Sequence, residues 1–65
     1  MDKNEARDVY RRIRLAALRC DRRLKTAKDF DLCIKAVLVV RGVRDPKPED
    51  WLWAAQEWID ERGGI

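Results

Sequence analysis

Residues 26–42 read TAKDFDLCIKAVLVVRG, and the architecture turns on how this stretch is read. It opens on Thr26-Ala27-Lys28-Asp29, a Thr-x-x-acid pattern. In that pattern the hydroxyl and the carboxylate each accept from a backbone N–H that the helix itself leaves unpaired, so it marks a helix start. It closes on Gly42, suited to the left-handed position just past a helix end. Between them Phe30, Leu32, Cys33, Ile34, Ala36, Val37, Leu38, Val39 and Val40 leave the segment apolar nearly all round. A helix of that kind, here 27–41, is expected in the middle of a structure, covered on more than one side. The β-branched residues make 36–43 an alternative short strand. Helix is preferred because the chain offers no second strand for it to pair with.

On the N-terminal side neither Gly nor Pro precedes Gly42. Asp2 and Asn4 are acceptable N-caps, and Glu5 and Asp8 suit the positive end of a helix dipole. Ala6, Val9 or Tyr10, Ile13, Ala17, Cys20 and Leu24 recur at spacings of three and four, which predicts an amphipathic helix over about 4–25. One unbroken helix reaching Gly42 would leave its apolar face nothing to pack on, so the break is placed at Thr26. On the C-terminal side 43–48 is a loop, and Pro48 suits a first helical position with Glu49 and Asp50 in the first turn. Trp51, Ala54, Ala55, Trp58, Ile59 and Arg62 then repeat at three and four, and Gly63-Gly64 stop the third helix, 48–62. The expectation is one all-α, three-helix domain over 1–65: a helical hairpin, then a third helix after a Pro-containing loop.

Composition excludes several chemistries. The 65 residues carry 15 Lys+Arg, 12 Asp+Glu and no His. Without His there is no Ser-His or Cys-His nucleophile pair and no imidazole metal ligand, and two Cys do not complete a structural zinc site. Carboxylate pairs such as Asp29/Asp31 and Glu49/Asp50 sit at helix starts, where capping and dipole account for them. There is no Gly-rich phosphate loop. The expectation is therefore no enzyme, no cofactor and no metal. The N-terminus shows no signal-peptide pattern, and the longest apolar run, Ala36–Val40, is far too short to span a bilayer. A soluble, cytoplasmic chain without membrane contact is expected, with Cys20 and Cys33 as reduced core thiols. Their positions about Thr26 would also bring them level in a hairpin, where a disulfide is a geometric alternative.

Charge is divided along the chain. Residues 1–28 hold ten Lys and Arg against four acids, and residues 29–65 hold five against eight. A basic first helix and an acidic third either neutralise each other inside the bundle or leave a basic face for an acidic partner or for phosphate. With Ile13, Ala17, Cys20 and Leu24 toward the core, Leu15 and Leu18 fall on the opposite side among Arg11, Arg14 and Arg22. Arginine around an apolar centre is the composition of a protein interface more than of a solvated face. Trp53 projects away from Trp51 and Trp58, among Gln56, Glu57 and Asp60, and is a second candidate anchor. The residues so singled out for partner binding are Arg11, Arg14, Leu15, Leu18, Arg22 and Trp53. They point to a non-enzymatic protein-interaction module, a small regulator, inhibitor or adaptor, whose partner is another protein with an acidic surface or a second copy of the chain. The alternative is nucleic-acid binding through the basic helix, but not as a standard helix-turn-helix, because the second helix is too apolar to read bases.

Overall fold

A computed structural model describes residues 2–62, and every element in it begins with a cap that the sequence spells out. Helix α1 (Lys3–Cys20) starts where the Asp2 carboxylate accepts from the Glu5 N–H at 2.8 Å. Helix α2 (Ala27–Val40) starts at the predicted capping box. The Asp29 N–H donates to Thr26 Oγ1 at 3.3 Å, and the Thr26 N–H donates to Asp29 Oδ2 at 3.0 Å. Helix α3 (Pro48–Glu61) starts with Pro48 in the first turn and Asp50 Oδ2 accepting from the Lys47 N–H at 2.9 Å.

α2 ends as expected. Gly42 has φ +79°, its N–H donates to the Val39 carbonyl, and the Val43 N–H donates back to that of Leu38. This pair of bonds is the Schellman arrangement, and it folds Val43 back onto the core. The chain is therefore a three-helix all-α domain with no strand among the described residues, so the strand alternative for 36–43 is set aside. Gly63 and Gly64, the expected stop of the third helix, lie outside the described residues.

Two expectations are corrected. The first helix ends at Cys20 rather than near Lys25. Asp21 stops it: its backbone is extended (φ −113°, ψ 108°), and its Oδ1 accepts from the Arg23 N–H at 3.0 Å. An Asp side chain bonded to the backbone two residues on competes directly with the helical pattern. Leu24 is buried from the connecting turn, not from the helix, and Cys20 is exposed rather than in the core. The core face of α1 accordingly lies along Ala6, Tyr10 and Ala17, with Ile13 and Leu18 partly covered.

The second correction concerns the centre. α2 buries one face only, through Phe30, Ile34 and Leu38, while Leu32, Val39 and Val40 are exposed. Two other helices of this length cannot wrap a third on every side. α3 is the more enclosed element, burying Leu52, Ala54, Ala55 and Trp58. Its broadest contact is with α1, where Ala17, Ala54 and Ala55 are fully buried in one cluster and small side chains let the backbones come close. Aromatic rings then join every pair of helices. Tyr10 meets Phe30 at 5.7 Å and Trp51 edge-on at 6.0 Å, and Phe30 meets Trp58 edge-on at 5.3 Å between ring centroids. Phe30, Ile34 and Leu38, the largest fully buried side chains, each contribute about 1.5–3 kcal/mol by leaving water.

Candidate interaction surface

Among the described residues the ion pairs are Arg14–Asp31, Arg23–Asp21 and Arg41–Glu57. None joins α1 to α3. The opposite charges of the two helices therefore do not cancel in direct contacts, and their interface is built from small and aromatic side chains. Arg7, Arg11, Arg12, Arg19 and Arg22 are exposed and form no ion pair among the described residues.

Three of these, Arg11, Arg12 and Arg19, flank Leu15 on the outer side of α1, and Leu15 is 55% exposed. Arg11 and Arg12 precede it by four and three residues, and Arg19 follows by four. These are the spacings at which side chains on one helix are neighbours. Leu18 does not complete the patch as expected: it is partly buried against the core, because the core face of α1 is turned toward it. Arg22 lies beyond the end of α1, in the turn set by Asp21, and so leaves the helical register of Arg11 and Leu15.

Arg14 has a different place from the one expected. Its Nη1 donates to both carboxylate oxygens of Asp31 at 3.2 Å, and its guanidinium lies 5.6 Å from the Tyr10 ring centroid. Tyr10 donates its hydroxyl to the same carboxylate at 2.5 Å. Arg14 thus belongs to a polar clamp between α1 and α2 and is withdrawn from the open basic face. Burial, with the hydrogen bond to Asp31, pushes the Tyr10 phenol well above its ordinary range.

Trp53 is exposed, as its position on α3 predicts. The guanidinium over its ring comes from Arg41, just past α2, 5.7 Å from its centroid, and not from α1. Arg41 also pairs with Glu57, whose Oε2 is shielded from water and accepts no hydrogen bond among the described residues.

The sequence reading missed the exposed face of α2. Leu32 and Val39 are more than half exposed and Val40 is 83% exposed, more open than Leu15. The signal was present, since a helix apolar all round in a chain of 65 residues must leave one side bare. Between this face and α3 lies a shallow hollow of about 430 Å³, lined by Ala36, Val37, Val40, Arg41, Glu57 and Glu61. A second hollow, of about 340 Å³, runs from Leu32 and Cys33 to Trp58 and Arg62.

The thiols of Cys20 and Cys33 are free. No cluster of His, Cys, Asp or Glu able to hold a metal occurs among the described residues, and no helix of the described residues is long and apolar enough to cross a membrane. No protein-family model matches the chain, and no curated protein or solved structure matches it either.

Proposed function

We propose that this protein is a non-enzymatic interaction module, a small regulator, inhibitor or adaptor, that binds an acidic surface of another protein through the outer face of α1. The observation that carries this reading is Leu15, more than half exposed at the centre of arginines that have no carboxylate partner within the described fold. An exposed leucine alone is ordinary. Ringed by guanidinium groups, it matches an apolar anchor inside a charged rim, where the anchor supplies affinity and the rim supplies orientation and association rate. Arg11, Leu15 and the exposed edge of Leu18 carry the contact, with Arg12 and Arg19 beside them. Arg14 stays in the fold, and Arg22 contributes from the turn.

The unpaired arginines also favour a second reading, in which the same face meets the phosphates of a nucleic acid. One experiment separates them. Wild-type, Leu15→Ala and Leu15→Glu chains are used as baits on lysate of the native cell and on mixed-sequence DNA and RNA, each across a salt series. A protein retained by the wild type and lost with Leu15→Glu supports the interaction module. A nucleic acid whose retention falls steeply with salt, and is weakened no more by Leu15→Ala than by other exposed substitutions, would replace it with the second reading.

A further inference from the structure

The outer face of α1 and the hollow beside the bare face of α2 carry complementary groups. The first presents one projecting leucine, Leu15, among Arg11, Arg12 and Arg19. The second presents an apolar floor, Ala36, Val37 and Val40, edged by Glu61 of α3 and by Arg41 and Glu57, which pair with each other. Glu61 is exposed and forms no ion pair among the described residues, so with Glu57 taken by Arg41 it is the acid this rim offers to an incoming cation. A hollow of this kind takes an aliphatic side chain that arrives with cations at its flank. The chain carries such a group on another helix.

We propose that the occupant of the α2–α3 hollow is a second copy of this chain, docked by its α1 with Leu15 on the apolar floor and its arginines toward Glu61. The proposal rests on the reading of α1 as the binding face and names its partner. Because the two patches are different surfaces of the molecule, each copy keeps one patch free after the first contact. Such an interface is heterologous, and it propagates head to tail unless the rotation closes a ring. Lys28 and Lys35 are exposed on α2 and line no part of the hollow, so its unpaired acid, Glu61, lies on the α3 side and fixes which way round the arginines sit. Opposite charges across the contact speed encounter and select register, while the apolar anchor sets the lifetime.

The test uses the whole chain in analytical ultracentrifugation between about 1 µM and 1 mM, the range in which weak contacts dissociate. Two variants are added, Leu15→Glu and Val40→Glu, both at exposed positions. Circular dichroism first shows that each retains its helices, with Ala36→Glu, also exposed and in the hollow, standing in for Val40→Glu if needed. The wild type should gain mass with concentration and not level off at a dimer, or should form a closed ring. Each variant alone should weaken association by about tenfold or more. An equimolar mixture of the two should restore one species of twice the 7.7 kDa chain mass and nothing larger. That rescue arises because Leu15→Glu keeps an intact hollow and Val40→Glu keeps an intact α1 face.

A wild type that stays monomeric throughout would overturn the proposal. So would a dimer lost with Val40→Glu, kept with Leu15→Glu and not rescued by mixing, which is the pattern of two α2 faces meeting each other. Neither result bears on whether a different protein binds α1. That reading stands or falls on whether Leu15→Glu abolishes capture of such a protein.

Discussion

The Tyr10 hydroxyl donates to Asp31 Oδ1 at 2.5 Å, and Arg14 grips both oxygens of the same carboxylate from one turn further along α1. A phenol and a guanidinium from one helix thus converge on one acid of the next. This clamp makes α1 cross α2 at a defined level.

The clamp sets an alkaline limit on stability. The Tyr10 phenol is held protonated in the fold well above its ordinary value of about 10, through burial and the Asp31 acceptor. Above pH 10 the unfolded chain releases this proton while the folded chain retains it, so stability is complete below that pH and declines as pH rises beyond it. Thermal unfolding from pH 8 to 11 should show the decline in the wild type. Tyr10→Phe, less stable at pH 8, should show a shallower one. Equal slopes for the two would remove Tyr10 as the cause.

Arg11 and Arg14, three residues apart, should behave as opposites. Arg14→Ala breaks a partly buried ion pair, with the two side chains 26% and 39% exposed, and leaves Asp31 only the tyrosine. About 0.5–1.5 kcal/mol of stability should be lost in urea unfolding, toward the lower end for a pair this open to solvent. Arg11→Ala should fall within about 0.5 kcal/mol of wild type, since it touches nothing in the fold, and should instead slow association with a partner of α1.

Gly42 tests the stop of α2. A Cβ there would meet nothing within 4 Å, so Gly42→Ala is penalised by the backbone alone, at φ +79°. The cost should be about 1–2 kcal/mol, the price of the left-handed conformation for an ordinary residue. Gly42→Asn should recover part of it, because asparagine tolerates that region better. Denaturant midpoints of the three proteins should rank Gly, Asn, Ala. An alanine variant as stable as wild type would mean that the Schellman turn opens at no cost.

At the other end of α2, Asp29 accepts from the N–H groups of both Lys25 and Thr26 at 3.0 Å, which holds its carboxyl below the usual range. A depressed carboxylate stabilises the fold above its unfolded pKa and loses that contribution as pH falls through its folded value. Asp29→Ala should therefore destabilise the fold near neutrality and progressively less below about pH 4. Asp21, lowered mainly by its hydrogen bonds to Arg23, adds a similar acid-side dependence that the Asp29 variant leaves in place.

The helix starts and the Gly42 stop were legible in the sequence because caps are local: Asp2, Thr26, Asp29, Pro48 and Gly42 act within a few residues of themselves. The end of α1 was not, because an aspartate after a periodic apolar stripe can sit in a helix or break one. Which it does depends on Arg23 and on Leu24 finding the core. Arg14 was misplaced for a related reason. Its position on a helical wheel is near the edge of the apolar face, and only the arrival of Asp31 from α2 decides that it turns inward. Leu15 and Trp53 are exposed as their helical positions predict, although the Arg41 guanidinium over the Trp53 ring was not legible, because it comes from another element. The bare face of α2 followed from the ratio of apolar surface to available cover, a property of the whole chain that no local pattern displays.

The ring contacts have a consequence for how the chain comes apart. Tyr10–Phe30 ties α1 to α2, Tyr10–Trp51 ties α1 to α3, and Phe30–Trp58 ties α2 to α3. Any two helices alone retain one of these contacts and expose the rings that belonged to the other two. A helical hairpin of α1 and α2 therefore has no core of its own, and neither does the α2–α3 pair. Peptides cut at the turn before Thr26 should be largely unstructured apart and regain helix only when mixed. The intact chain should therefore open in a single cooperative step, with a loss at any one ring felt by all three helices, and unfolding followed by circular dichroism and by Trp fluorescence should give coincident transitions.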